Sequence, residues 1–182
     1  MREFVYFSRN ARTSGNFRDL MKAGRMDIVM HVVIASFFVS HKVRPDVRLH
    51  LVFYGPPDPP KHLEIHSEKA PISKKDVSNL IRGMLYKYKK GKKVEAYPGC
   101  WIEKKSFAEV LEELSNKNLY LLDAQGDSIR KTEIKEDPVF ILGDHEGLPS
   151  KEKKRLAKTA HIISFGSVTY FASQAVVLVQ NE

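Results

Sequence analysis

Short apolar runs alternate with polar stretches along the whole chain. Six of these runs are six to eight residues long and rich in β-branched or aromatic residues, which is typical of strands. They occupy residues 2–8, 48–55, 61–68, 118–124, 138–143 and 160–166. The run 138–143 is apolar throughout, as expected for a parallel strand covered on both faces.

Segments with helical spacing or composition separate these runs. They lie at 26–41, 73–90, 107–117, 150–159 and 167–180. The first is apolar on nearly all sides, as in a helix buried against a sheet or a partner subunit. Alternating strands and helices predict one α/β domain spanning 1–182, with a mainly parallel sheet and helices on both faces.

Composition and charge narrow the class of protein. The 182 residues are 42% hydrophobic and 29% charged, and the net charge of +8 makes a polyanionic partner plausible without requiring one. The single cysteine excludes an intrachain disulfide framework and favours a reducing cytoplasm. The longest apolar run is interrupted by Asp27 and His31 and is too short to cross a bilayer.

Three arginines in the polar segment after the first strand, Arg9, Arg12 and Arg25, are candidate RNA contacts. Their forked guanidinium groups suit phosphate oxygens, although they can equally be solvated loop charges. The lysine-rich stretch 86–93 is a second candidate surface, and it reads equally well as ordinary helix capping.

The stretch GPPDPP displays Asp58 between four prolines. Each proline restricts the residue before it, so the carboxylate is held in a nearly fixed direction. It can serve as a proton acceptor at a strand end, or the stretch can be a rigid turn with no chemical role. We interpret Cys100 as a core or loop residue and His31 as a core or interface residue, and neither as a catalyst.

Two glycine-bearing loops, FILGDHEGLP and HIISFGSVTYFASQA, each follow a short apolar strand. Glycine allows the backbone to approach a ligand closely, so two such loops about twenty residues apart suggest one pocket. Consecutive side chains at Asp144, His145 and Glu146 diverge and lack the usual ligand spacing, so we predict no metal there. A plain turn and a cofactor loop remain the alternatives.

The motifs SRNARTSGNF, GRMD, GPPDPP, PGCWIEKKSF and the two C-terminal loops occur in this order along nearly the whole chain. Together they resemble the archaeal tRNA pseudouridine-54 N1-methyltransferases of the SPOUT superfamily. The resemblance implies S-adenosylmethionine as cofactor, tRNA as partner, a C-terminal trefoil knot and a homodimer. It implies cofactor contacts at Leu122, Leu142, Gly143, Gly147, Phe165, Gly166, Ser167, Val168, Thr169, Tyr170 and Ala175.

The resemblance implies direct methyl transfer to N1 of a flipped or loop-exposed pseudouridine. Asp58 is the candidate acceptor of the N1 proton, and the three arginines would hold the RNA. Relatives often carry a cysteine near position 175, where this chain has Ala175. The alternatives are a methyltransferase of a ribosomal RNA pseudouridine and a non-enzymatic basic RNA-binding module.

Overall fold

The computed structural model describes residues 1–182 as a mixed α/β protein. Its strands are β1 (Arg2–Ser8), β2 (Phe38–Val39), β3 (Lys42–Val43), β4 (Val47–Phe53), β5 (Lys61–His66), β6 (Val94–Tyr97), β7 (Cys100–Glu103), β8 (Asn118–Ser128), β9 (Pro138–Leu142) and β10 (His161–Ser164). Its α-helices are α1 (Met26–Phe37), α2 (Val77–Tyr86), α3 (Phe107–Glu113), α4 (Ser150–Thr159) and α5 (Ala172–Asn181). None of the helices has the length and apolar character needed to cross a membrane.

Eight strands form one sheet in the order β10-β8-β9-β1-β4-β5-β7-β6, while β2 and β3 form a separate ribbon. The five strands from β10 to β4 are parallel, and the pairings β4–β5, β5–β7 and β7–β6 are antiparallel. The predicted mainly parallel sheet is thus confirmed for the half that contains β10, β8, β9, β1 and β4.

Both faces of the sheet are packed, as predicted. On β1, Phe4 and Tyr6 face a core that includes side chains of α1, α2 and α5. Val5 and Phe7 on the same strand face a second core that includes residues of α3 and Leu156 of α4. Alternate side chains of one central strand therefore hold two layers of helices together.

Local chemistry explains where α3 begins. The Ser106 hydroxyl accepts a hydrogen bond from the Glu109 backbone N–H at 3.3 Å, and the Glu109 carboxylate accepts one from the Ser106 backbone N–H at 2.7 Å. This reciprocal capping box satisfies two donors that the first helical turn would leave free.

Four stretches differ from the sequence-based prediction. The helix predicted at 26–41 ends at Phe37, and residues 38–43 form the β2–β3 ribbon instead. Residues 94–103 form the β6–β7 hairpin, which the sequence analysis did not predict. β8 continues to Ser128 through a segment predicted as a polar turn region, and α5 begins at Ala172 because residues 167–171 form an exposed loop before it. Cys100 is fully buried, which confirms it as a core residue, and burial raises its pKa to about 12.

Candidate functional site at the carboxyl ends of the parallel strands

The loops that follow β9, β1 and β4 meet along one edge of the sheet, beside residues 122–126, where β8 leaves its pairing. We call residues 143–149 the β9 loop, 9–25 the β1 loop, 54–60 the β4 loop and 122–126 the β8 loop. The β9 loop contacts the β1 loop: the backbone N–H of Arg9 donates to Asp144 Oδ2 at 2.8 Å, and the Asn10 amide donates to Glu146 at 3.2 Å. The β1 loop in turn contacts the β4 loop, because Thr13 Oγ1 donates to the Gly55 carbonyl at 2.9 Å. Ligands of parallel α/β sheets bind at this edge.

A cavity of about 350 Å³ opens between the β8 and β9 loops and the start of α5. This volume is in the range of small-molecule sites. Nine of its sixteen lining residues are hydrophobic, and the polar groups are few. The lining residues are Ile28, Leu121, Leu122, Asp123, Leu142, Gly143, Asp144, His145, Gly147, Leu148, Lys153, Thr169, Tyr170, Phe171, Ala172 and Ala175.

A smaller cavity of about 140 Å³ adjoins the first one at the loop after β10. The two cavities share Leu122, Asp123, Thr169, Tyr170 and Ala175. Of the eleven residues to which the resemblance assigns cofactor contacts, ten line one or both cavities, and Ser167 lines neither. The first cavity contains Leu122, Leu142, Gly143, Gly147, Thr169, Tyr170 and Ala175, and the second adds Phe165, Gly166 and Val168.

Asp144 shapes the β9 loop. Its Oδ1 accepts the backbone N–H of Glu146 at 2.9 Å, while Oδ2 accepts that of Arg9 at 2.8 Å. A Cβ added to Gly143 would lie 2.6 Å from the carbonyl carbon of Gly147, so the loop closes on itself only with glycine at 143. Both Asp144 oxygens therefore accept backbone donors and tie the β9 loop to the residue after β1.

One ion pair lies in the cavity, between Lys153 of α4 and Asp123, which lies just past the residues of β8 that pair with β9. Lys153 Nζ lies 2.5 Å from Asp123 Oδ2. Burial disfavours the ionised form of Asp123, but Lys153 and the Gln125 backbone N–H together outweigh it and lower the Asp123 pKa. Sequence reasoning missed both residues, since nothing along the chain indicates that 123 and 153 meet.

The β8 loop is a bulge beside β10. Ile162 pairs with Leu121 whereas the next residue, Ile163, pairs with Asp127, so residues 122–126 leave the ladder. A Cβ added to Gly126 would lie 2.5 Å from the Ile163 nitrogen, which shows how closely the two backbones approach. The Ser164 hydroxyl donates to the Ala124 carbonyl at 3.2 Å and fastens the bulge to β10.

Asp58 lies at the same edge but outside both cavities. Its carboxylate pairs with Lys61, at 2.6 Å, and with Lys104. These two ammonium groups, Lys104 foremost, lower the Asp58 pKa to about 2. Lys61 is almost completely buried beneath the Tyr88 ring, with its Nζ 4.0 Å from the ring centroid. The prolines do not act alone, therefore, because two lysines that sequence reasoning missed also hold Asp58.

The three candidate RNA-binding arginines flank this edge in different environments. Arg9 pairs with Glu146 at 3.1 Å and is about half exposed. Arg25, just before α1, makes two hydrogen bonds to Asp27, at 3.0 and 2.8 Å. Arg12 is half-buried, and its Nε has no hydrogen-bond partner.

The chain is similar to known proteins along its whole length. A family model described as "Putative SAM-dependent RNA methyltransferase" matches residues 1–182. Two archaeal proteins named tRNA (pseudouridine(54)-N(1))-methyltransferase are similar over nearly the full length. That of Methanosarcina acetivorans is 35% identical over 191 residues, covering 100% of this chain and 90% of its own. That of Methanopyrus kandleri is 32% identical over 187 residues, covering 98% and 90%.

One solved structure is similar in fold. Archaeoglobus fulgidus Nep1 bound to S-adenosylhomocysteine superimposes with a TM-score of 0.62, covering 98% of this chain and 95% of that chain. The sequence identity is 11%, so this likeness supports the fold alone.

Proposed function

Because the chain belongs to the family of SAM-dependent RNA methyltransferases, we propose that it transfers a methyl group from S-adenosylmethionine to N1 of pseudouridine 54 in tRNA. The observation that carries the proposal is the full-length similarity to archaeal enzymes named for this reaction, at 32% and 35% identity. The cavity at the carboxyl edge supports the same proposal, because its volume suits a small cofactor and it lies where parallel α/β sheets bind their ligands.

The residues around the cavity fit S-adenosylmethionine, which supplies an electrophilic methyl group on a positively charged sulfur when bound. Leu122, Leu142 and Ala175 offer apolar contacts for flat or aliphatic parts of the cofactor. The Gly143–Gly147 turn presents backbone groups, and Tyr170 and Thr169 offer hydroxyls from the loop before α5. Asp123 offers a carboxylate oxygen at the cavity wall.

Asp58 is the proposed acceptor of the N1 proton. The β4 end lies two strands from the β9 end, about 10 Å along the sheet, which one nucleoside can span. A carboxylate with a pKa near 2 is ionised at neutral pH but is a weak base. It suffices if the proton leaves late, because N1 becomes strongly acidic as its bond to carbon forms. An RNA covering Asp58 would also exclude water and raise its basicity.

Arg9, Arg12 and Arg25 are the proposed contacts to the tRNA phosphates. Arg9 and Arg25 already hold carboxylates with their guanidinium groups, so phosphate oxygens can replace Glu146 and Asp27. The net charge of +8 supports the same class of partner.

We further propose that two chains form a homodimer through α1 and α5. An apolar groove between these helices is lined by Ile34, Phe38, Val177 and Leu178, among others. Val177 is 47% exposed, and Tyr170 lies in both this groove and the cofactor cavity. His31 also lines the groove, which agrees with its interpretation as an interface residue.

We also propose that the C-terminal segment forms a trefoil knot. This proposal is supported by the close approach of residues 122–126 to β10 and by the return of the chain from β10 to α1, against which α5 packs. There the Gln180 amide donates to the Ser36 carbonyl at 3.0 Å.

One sheet lies between both cores, so we assign all of 1–182 to one domain. We place the protein in the cytoplasm, where its tRNA substrate and a reduced cysteine are expected.

Incubation with methyl-labelled S-adenosylmethionine and tRNA carrying pseudouridine at position 54 tests the proposal. We expect N1-methylpseudouridine at that position by nucleoside mass spectrometry, and no product with uridine at 54. Methylation of a ribosomal RNA fragment alone would identify the ribosomal enzyme instead. RNA binding without cofactor binding would leave the non-enzymatic RNA-binding module.

A further inference from the structure

A chain of four polar side chains, three buried and one partly buried, crosses the sheet face opposite α1. We call Glu3, His50, His62 and Glu103 the polar row. His50 Nε2 lies 3.3 Å from Glu3, His50 Nδ1 lies 2.9 Å from His62 Nε2, and His62 Nδ1 lies 3.2 Å from Glu103. Both imidazoles are at least nine-tenths buried, so water is excluded from them.

The polar row has three contacts but only two N–H groups to fill them when both histidines are neutral. A neutral imidazole carries a single N–H, and an ionised carboxylate accepts only. Two neutral histidines can therefore fill only two of the three contacts. One contact is left with two facing lone pairs and no hydrogen between them, which a buried site does not tolerate without another cation.

The two carboxylates decide which contact lacks the hydrogen. A carboxylate beside an imidazole favours the tautomer that donates to it, so Glu3 draws the N–H to His50 Nε2 and Glu103 draws it to His62 Nδ1. The inner atoms, His50 Nδ1 and His62 Nε2, then present lone pairs to each other. Two histidines whose outer N–H groups are fixed by carboxylates, with converging inner nitrogens, form the usual surroundings of a bound metal ion.

A third ligand lies beside them. One atom from each of His50, His62 and Glu64 falls within 4.8 Å of the other two. Ligands of a tetrahedral zinc ion lie about 3.3 Å apart, so the imidazoles need to separate by only a few tenths of an ångström.

We propose that His50 Nδ1, His62 Nε2 and the Glu64 carboxylate bind a divalent transition-metal ion of the zinc class. The site is structural, because its ligand side chains are only 2% to 11% exposed and no substrate can reach the ion. The second Glu64 oxygen would supply the fourth donor atom. The bound ion would fasten β4 to β5, whose connection carries Asp58. Nothing along the sequence indicates that His50, His62 and Glu64 converge.

The charged side chains around the polar row set the affinity of the site for a metal ion. Arg48 and Lys117 contact Glu3, Lys105 contacts Glu103, and Lys93 contacts Glu64 at 2.8 Å. His66 also holds Glu64, at 2.7 Å. A metal ion therefore competes with Lys93 for Glu64. Because the Lys93 side chain is 43% exposed, it can turn into solvent when the ion binds.

Titration of chelator-treated full-length protein with Co²⁺ tests the site. We expect one Co²⁺ per chain, with the intense visible absorption of a four-coordinate ion. His62→Gln should weaken binding by more than about 10-fold, whereas His41→Gln, an exposed histidine in the β2–β3 turn, should leave it unchanged.

Lys93→Gln provides a test that leaves the buried residues intact. Removing its ammonium frees the Glu64 carboxylate, so Co²⁺ should bind severalfold more tightly than to the unaltered chain. The proposal would be overturned if Co²⁺ bound weakly and with equal affinity to the unaltered, His62→Gln and Lys93→Gln proteins. Nitrogen NMR of the Co²⁺-free protein gives a second test. If one histidine of the row is doubly protonated at neutral pH, a proton is the shared cation and the proposal is wrong.

Discussion

At the scale of single residues, two lysines set the position and the pKa of the Asp58 carboxylate. Sequence alone identified Asp58 and its rigid frame, since the restriction imposed by proline is local. It could not identify Lys61 and Lys104 as its partners, because the side chain of Lys61 turns under Tyr88 and Lys104 arrives from β7. Asp58 is consequently a strongly ionised group and not a carboxylate with an ordinary pKa.

Replacing Asp58 by Asn removes the proposed proton acceptor. We expect kcat to fall by about 100-fold, within the usual contribution of a general base, with the Kd for S-adenosylmethionine unchanged. Single-turnover kinetics and calorimetric titration measure the two quantities. The matched control is Asp46→Asn, an exposed aspartate beside the start of β4 at the opposite edge. An unchanged kcat would remove Asp58 from the mechanism.

Replacing Lys104 by Gln should raise the Asp58 pKa from about 2 toward its ordinary value of 3.8, because Lys104 is the main cause of the shift. The folded-state pKa is lowered, so the ion pairs stabilise the protein above about pH 4 and are lost as the pH falls through 2. Carbon NMR titration of the carboxyl group measures the change. Unaltered titration in Lys104→Gln would show that the pair with Lys104 does not form in solution.

At the scale of secondary-structure elements, the loops were harder to predict than the strands they follow. The apolar runs predicted β1, β4, β5, β9 and β10 because burial of alternate or all side chains leaves a local pattern. Residues 167–171 carry apolar and aromatic side chains and read as helix, yet they form a loop along the cavity. The contacts of this loop are local: the Tyr170 ring packs edge-on against Phe165, and the Phe171 backbone N–H donates to the Gln174 side chain.

Replacing Asp144 by Ala should loosen the β9 loop. Two backbone donors, from Arg9 and Glu146, lose their acceptor, and we expect the affinity for S-adenosylmethionine to fall about 10-fold. Calorimetric titration measures this. Asp19→Ala is the matched control, because Asp19 accepts the backbone N–H groups of Met21 and Lys22 outside the cavity. Equal losses of affinity in both variants would contradict a specific role for Asp144.

At the scale of the whole molecule, charge and exposed apolar surface define the partners. If Arg9 contacts a phosphate, Arg9→Gln should weaken tRNA binding and reduce the slope of log K against log salt by about 1. Filter binding across a salt series measures the slope. Arg130→Gln, which is 82% exposed and pairs with Glu182, is the control expected to leave it unchanged. A flat salt response of the unaltered protein would exclude phosphate contacts.

The α1–α5 groove allows a test of the proposed dimer. Val177→Glu puts a charge into the apolar surface, which a buried interface does not accept, so sedimentation should show a monomer where the unaltered protein is a dimer. Met21→Glu alters a side chain that is 63% exposed outside the groove and should remain dimeric. A monomeric unaltered protein would rule out the dimer.

The sequence by itself determined the α/β alternation, most strand positions and the motifs that mark the methyltransferase family. These features are local, because burial and backbone restriction act on neighbouring residues. Only the tertiary structure decided which distant groups meet: Lys153 with Asp123, Arg9 with Asp144, Lys104 with Asp58, and His50 with His62. Strand order sets those meetings, and strand order depends on packing between residues far apart in the chain.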